Sequence, residues 1–80
     1  MGSNIEKEVY PLSEVPAGRT VHLAAVQAGQ GLKSRLAAMG LLAHVSLRVL
    51  RNDSCGQIIV QVKNTKVVLG RGMSQKILVR

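Results

Sequence analysis

The sequence predicts a mainly β domain: a small closed barrel of about five short strands, with one short helix inserted between the first two. Two patterns carry that prediction. Apolar residues alternate with polar ones over several short stretches, and a single segment before the middle of the chain switches to helical spacing. Size and composition agree. The 80 residues are 46% hydrophobic with Tyr10 the one aromatic, enough for one small aliphatic core.

The first residues, 1–9, read as a flexible segment ahead of a domain spanning 10–80. Tyr10 to Gly18 reads as a lead-in turn, in which Pro11 and Pro16 fix the backbone and Gly18 supplies a positive φ. From Thr20 to Val26 the chain alternates, with Val21, Leu23 and Ala25 on one face, so a strand is expected. After Gln27–Gly31, Leu32, Leu36 and Met39 recur at i, i+4 and i+7. This stripe predicts a helix of about two turns that needs tertiary packing to persist.

Gly40 stands where a left-handed residue closes a helix. Val45, Leu47 and Val49 resume the strand period, and Asn52–Gly56 is turn chemistry. Ile58, Val60 and Val62 form the next strand. A reversal at Asn64-Thr65 leads to Val67 and Leu69, with Asn64 expected to take the left-handed geometry. Gly70-Arg71-Gly72 breaks the pattern before a last strand at Ile77–Val79. SH3-like and OB barrels both fit this order of elements.

Chemistry of its own is not expected. His22 and His44 lie far apart in sequence, Cys55 is alone, and no CxxC or HExxH spacing occurs, so neither a metal site nor a cofactor is expected. A Cys55–His44 or Ser–His pair stays open on the residues alone, but nothing local supplies an orienting third group. Asp53 reads as a turn residue. Gly29-Gln30-Gly31 ahead of a helix lacks the third glycine of a dinucleotide loop and the Gly-Lys-Ser/Thr of a phosphate loop. Those glycines read instead as a sharp turn allowing close helix packing. The chain is therefore expected to be no enzyme and to work by binding another macromolecule.

The charge of +7 is uneven. Residues 1–14 hold three acids and one base, and the remainder holds ten Lys or Arg against Asp53 alone. A basic body favours an anionic partner. Nonspecific, salt-sensitive nucleic-acid binding fits that charge, but the strands lack the aromatic platforms single-strand binders use. No long basic helix offers a groove reader, so no specific nucleic acid is expected. No apolar run approaches the ~18–20 residues of a membrane span, and residues 1–8 are polar, so a soluble cytosolic protein is expected.

Gly29-Gln30-Gly31-Leu32-Lys33-Ser34-Arg35-Leu36-Ala37-Ala38-Met39-Gly40-Leu41 resembles the FeoA family pattern G-x-G-L-x-x-R-L-x-x-[ML]-G-L at every fixed position. Leu12–Gly18 is similar to the family's L-x-[DE]-[LV]-x-x-G, and the likeness runs through residues 10–80. The chain departs from the pattern at three places. Ala43-His44 stand where Pro-Gly is common, Asn64 replaces a hairpin glycine, and Ser74 replaces an alanine.

The resemblance implies an SH3-like barrel with no cofactor. It also implies a cytosolic accessory role in bacterial ferrous iron uptake, through contacts with the cytoplasmic region of the FeoB transporter. Recruitment to the inner face of the membrane would come through that partner. The SH3-like module of iron-dependent repressors is the nearest alternative, though it normally follows a DNA-binding region.

Leu32, Leu36 and Met39 are expected to lock the helix to the barrel, with Gly29, Gly31 and Gly40 shaping its ends. Lys33 and Arg35 would lie on its free face. Leu41 and Leu42 are consecutive, so one should point inward and the other outward as an apolar anchor. The candidate partner surface is thus Lys33, Arg35, Leu41, Leu42 and Arg48. Weak self-association through strand edges or Leu42 stays open.

Overall fold

The computed structural model describes residues 9–53 and 56–80. Of the segment 1–9 expected to be flexible, residues 1–8 lie outside the described residues, as do 54–55 of the Asn52–Gly56 turn, including Cys55.

The strands are β1 (Tyr10–Pro11), β2 (Thr20–Val26), β3 (Ser46–Asn52), β4 (Ile58–Val62), β5 (Thr65–Leu69) and β6 (Ile77–Val79). Helix α1 (Gln30–Ala38) joins β2 to β3, and a short α2 (Arg71–Ser74) joins β5 to β6. A 3-10 turn at Leu12–Glu14 follows β1. The strands form one antiparallel sheet in the order β1-β6-β2-β3-β4-β5.

β2 pairs with β3 through Thr20–His22 and with β6 through Leu23–Val26, so one bent strand serves both halves of the curled sheet. A register shift between Leu23 and Ala25 accompanies that bend, and a second, between Val49 and Arg51, lies in β3 where it pairs with β4. The alternation seen in the sequence has its cause here. Val21, Leu23, Leu47, Val49, Ile58, Val60, Val62, Val67, Leu69, Ile77 and Val79 point inward, joined by Leu12, Val15, Leu36 and Leu41. Tyr10 packs partly buried at the margin of this aliphatic core.

Several expectations change. The sheet has six strands rather than five, because the lead-in pairs Tyr10 with Val79 and Pro11 with Leu78. Among the described residues it is not closed by hydrogen bonds, and β1 and β5 are its edges. β1 is two residues long and half of it is proline, which has no N–H to donate. The Gly70–Gly72 break is in fact the start of α2, where Ser74 is buried and its Oγ donates to the Arg71 carbonyl at 3.0 Å. That bond lets a polar residue occupy a position suited to alanine.

The β4–β5 reversal uses Lys63-Asn64 rather than Asn64-Thr65, since Val62 pairs with Thr65. Lys63, not Asn64, takes the positive φ (56°), as at the first central position of a type II′ turn.

Candidate partner-binding surface

Helix α1 is held by few contacts, and its sequence explains why. Leu36 is its one buried residue among mostly polar and small ones, while Leu32 packs partly buried against the core. The next docking point lies beyond the helix. Gly40 adopts φ 93°, its N–H donates to the Ala37 carbonyl at 3.0 Å, and the Leu41 N–H donates to the Leu36 carbonyl at 2.9 Å. This is a Schellman closure, and the buried pair Leu36 and Leu41 makes the apolar contact that accompanies it.

The closure corrects one expectation. Met39 does not lock the helix to the core; it is 36% exposed. The helical stripe predicts burial at i+7, but the left-handed turn swings the chain and sends Leu41 inward in its place. Gly29 and Gly31 also differ from expectation. A Cβ at either would meet nothing within 4 Å, so neither is required for close packing.

Leu41 and Leu42 divide as the sequence suggests, at 3% and 54% exposure. Leu41 is thus a core residue and is unavailable to a partner. The chain then turns through Ala43-His44. The Val45 N–H donates to the Leu42 carbonyl at 3.1 Å, and His44 takes φ 69°. A hydrogen-bonded turn with positive φ at its second central residue has the type II pattern, for which Pro-Gly is the natural pair. The departure to Ala43-His44 therefore keeps the turn and places a strained residue in it. The His44 N–H to Leu23 carbonyl bond (2.7 Å) and the Leu23 N–H to Val45 carbonyl bond (2.9 Å) tie this turn to β2.

Beside the turn lies an open groove of about 470 Å³, lined by Met39, Leu42, Ala43, Val45, Val62 and Lys63 among others. A second groove, lined by Thr20, Val45, Ser46, Arg48, Gln61 and Lys63, shares Val45 and Lys63 with the first. Leu42 and Arg48 therefore belong to one continuous surface. Lys33 and Arg35 are exposed on α1 but line neither groove. Among the described residues no three His, Cys, Asp or Glu side chains converge as a metal site would require. No described helix is long and apolar enough to cross a membrane.

A family model described as FeoA domain matches residues 10–80. The chain belongs to the FeoA family. Its FeoA domain is 35% identical over 71 residues to a protein of Methanocaldococcus jannaschii named "Putative Fe(2+) transport protein A", covering 89% of this chain and 85% of that one. It superposes with a TM-score of 0.84 on the crystal structure of an iron uptake regulatory protein (FeoA), at 29% identity, with 90% and 96% of the two chains covered. It matches a manganese-dependent transcriptional repressor equally well (TM-score 0.84, 27% identity), covering 91% of this chain but 41% of the repressor. The fold is thus the SH3-like one of FeoA proteins, and the family places the chain in ferrous iron transport.

Within this FeoA domain, the segment Gly29–Leu41 builds α1 and its closure, and that closure positions Leu41 and Leu42. Sequence reasoning missed Met39 and Lys63 as surface residues. The positive φ of Lys63 depends on which residues close the hairpin, and the exposure of Met39 depends on where the helix stops.

Proposed function

We propose that this chain is a non-catalytic, cytosolic accessory protein of ferrous iron uptake that docks on the cytoplasmic region of a FeoB-type transporter and modulates it. The observation that carries the reading is Leu42. It is 54% exposed beside Met39, on a turn fixed by the Gly40 closure and by three backbone hydrogen bonds. A large aliphatic side chain exposed on a fixed backbone turn is an anchor for a partner, because its burial removes apolar surface from water with little backbone ordering to offset the gain. Arg48 and Lys63 flank it, and Lys33 and Arg35 extend the basic character along α1. The metal handling and nucleotide chemistry would belong to the transporter.

The test is ferrous iron uptake in cells lacking this chain, restored by wild type or by Leu42→Asp at equal protein levels. Wild type restores uptake and Leu42→Asp does not. Full restoration by a folded Leu42→Asp would remove this surface from the function.

A further inference from the structure

We infer that the partner segment taken by this surface is acidic as well as aliphatic. An apolar side chain seats in the groove beside Met39 and Leu42, and a carboxylate is held between Arg48 and Lys63. The inference rests on the proposed docking to the transporter and names the chemistry that docking requires.

Continuity of the two grooves is the first support. They share Val45 and Lys63, so one extended segment can lie across both. Lys63 stands at the tip of the β4–β5 hairpin, where the apolar and basic halves meet. Cross-strand register continues the basic half: Arg48 pairs with Gln61, and Gln61 pairs with Lys66. Arg48, Lys63 and Lys66 are all exposed.

Charge segregation is the second support. The described carboxylates, Glu14 and Asp53, line a different groove, and Asp53 is paired with Arg51 at 3.2 Å. Among the described residues, no acidic side chain lines either of the two joined grooves. Three cations thus face water with no carboxylate among the described residues lining these grooves, an arrangement that recruits an anion and steers its approach. Arg48 can meet a carboxylate with two parallel N–H donors, and Lys63 adds a third donor from the hairpin tip.

The adjoining apolar groove separates this occupant from a nucleic acid. A phosphate backbone gains nothing from Leu42 and Met39, and bases would need aromatic faces to stack on. Tyr10, the chain's one aromatic, sits on β1 against the core.

The experiment is a titration of the full chain with the purified cytoplasmic region of the FeoB-type transporter from the same organism, at low and high salt. Wild type, Arg48→Glu, Lys63→Glu and Leu42→Ser are compared, each verified as folded by circular dichroism. The inference predicts wild-type binding that weakens at least about tenfold with salt, and a loss of at least about tenfold in each variant. Salt-insensitive binding that survives both charge reversals but fails in Leu42→Ser would overturn the acidic part and leave the docking itself standing. No wild-type binding at either salt would overturn the docking and the inference together. Tighter binding to single-stranded oligothymidylate than to the transporter, lost in the same two charge reversals, would assign the basic face to nucleic acid instead.

Discussion

The side-chain amide of Asn52, at the end of β3, donates to the backbone carbonyl of Val15 at 2.7 Å and also to that of Ser13 at 2.9 Å. One partly buried amide thus fastens the lead-in turn to a strand 37 residues away in sequence. Val15 itself is fully buried, so the bond holds the backbone that inserts it. Asn52→Ala leaves two carbonyls without their donor and is expected to cost about 1–3 kcal/mol. Asn52→Asp should cost at least as much, since a carboxylate would face two carbonyl oxygens. Urea unfolding with an unchanged slope reads this directly; stability within about 0.5 kcal/mol of wild type would show that the bond holds nothing.

Two glycines of the family motif should respond with opposite sign. Gly40 has φ 93°, and a Cβ there would sit 3.6 Å from Val62 Cγ1, an ordinary contact. The cost of Gly40→Ala is therefore backbone strain, about 1–2 kcal/mol. Gly31 lies inside α1, without a positive φ and with open space around it. Gly31→Ala should stabilise the helix by up to about 1 kcal/mol. Paired thermal melts check both; a shared direction of shift would contradict the assignment.

The Ala43-His44 turn offers a stabilising change. Restoring Pro-Gly in the Ala43→Pro/His44→Gly double variant removes the left-handed histidine and pre-sets the first central residue. A gain of about 1 kcal/mol is expected. A β-branched residue is worse placed than histidine at φ 69°, so His44→Val should lose stability. The ordering double variant, wild type, His44→Val in melting temperature is the result to look for. Any other order would show that the turn does not set the local strain.

Neighbouring leucines separate packing from binding. Leu41→Asp puts a charge into the core at a position 3% exposed and should unfold the domain or cost more than about 3 kcal/mol. Leu42→Asp, at 54% exposure, should stay within about 0.5 kcal/mol of wild type. Equal destabilisation of the two would place Leu42 in the core.

Much of this fold was legible because period-two patterns are local. β2 and β6 begin and end where alternation does, and the inward residues of β4 are those that alternate. The helical stripe is also real, but the helix ends at Ala38, one residue short of it: nothing in Leu32, Leu36 and Met39 reveals that the helical period stops before Met39 and that the chain turns left-handed just after it, at Gly40. Asn is the better left-handed former and draws the expected hairpin turn one residue late, whereas pairing of Val62 with Thr65 fixes the turn on Lys63. Neither the Tyr10–Val79 pairing nor the Asn52–Val15 bond leaves a local trace, since each joins segments far apart in the chain. The surface was half visible. Consecutive leucines announced an outward anchor, but its neighbours Met39 and Lys63 came together only through the turns.

The proposed docking of the Leu42 groove on the transporter is open to direct measurement. The most direct measurement is the dissociation constant of the full chain for the purified transporter cytoplasmic region, wild type against a folded Leu42→Asp. Wild type should bind and the variant should lose at least about tenfold in affinity, a difference of about 1.4 kcal/mol or more. Equal affinities, with the variant's fold intact, would contradict it.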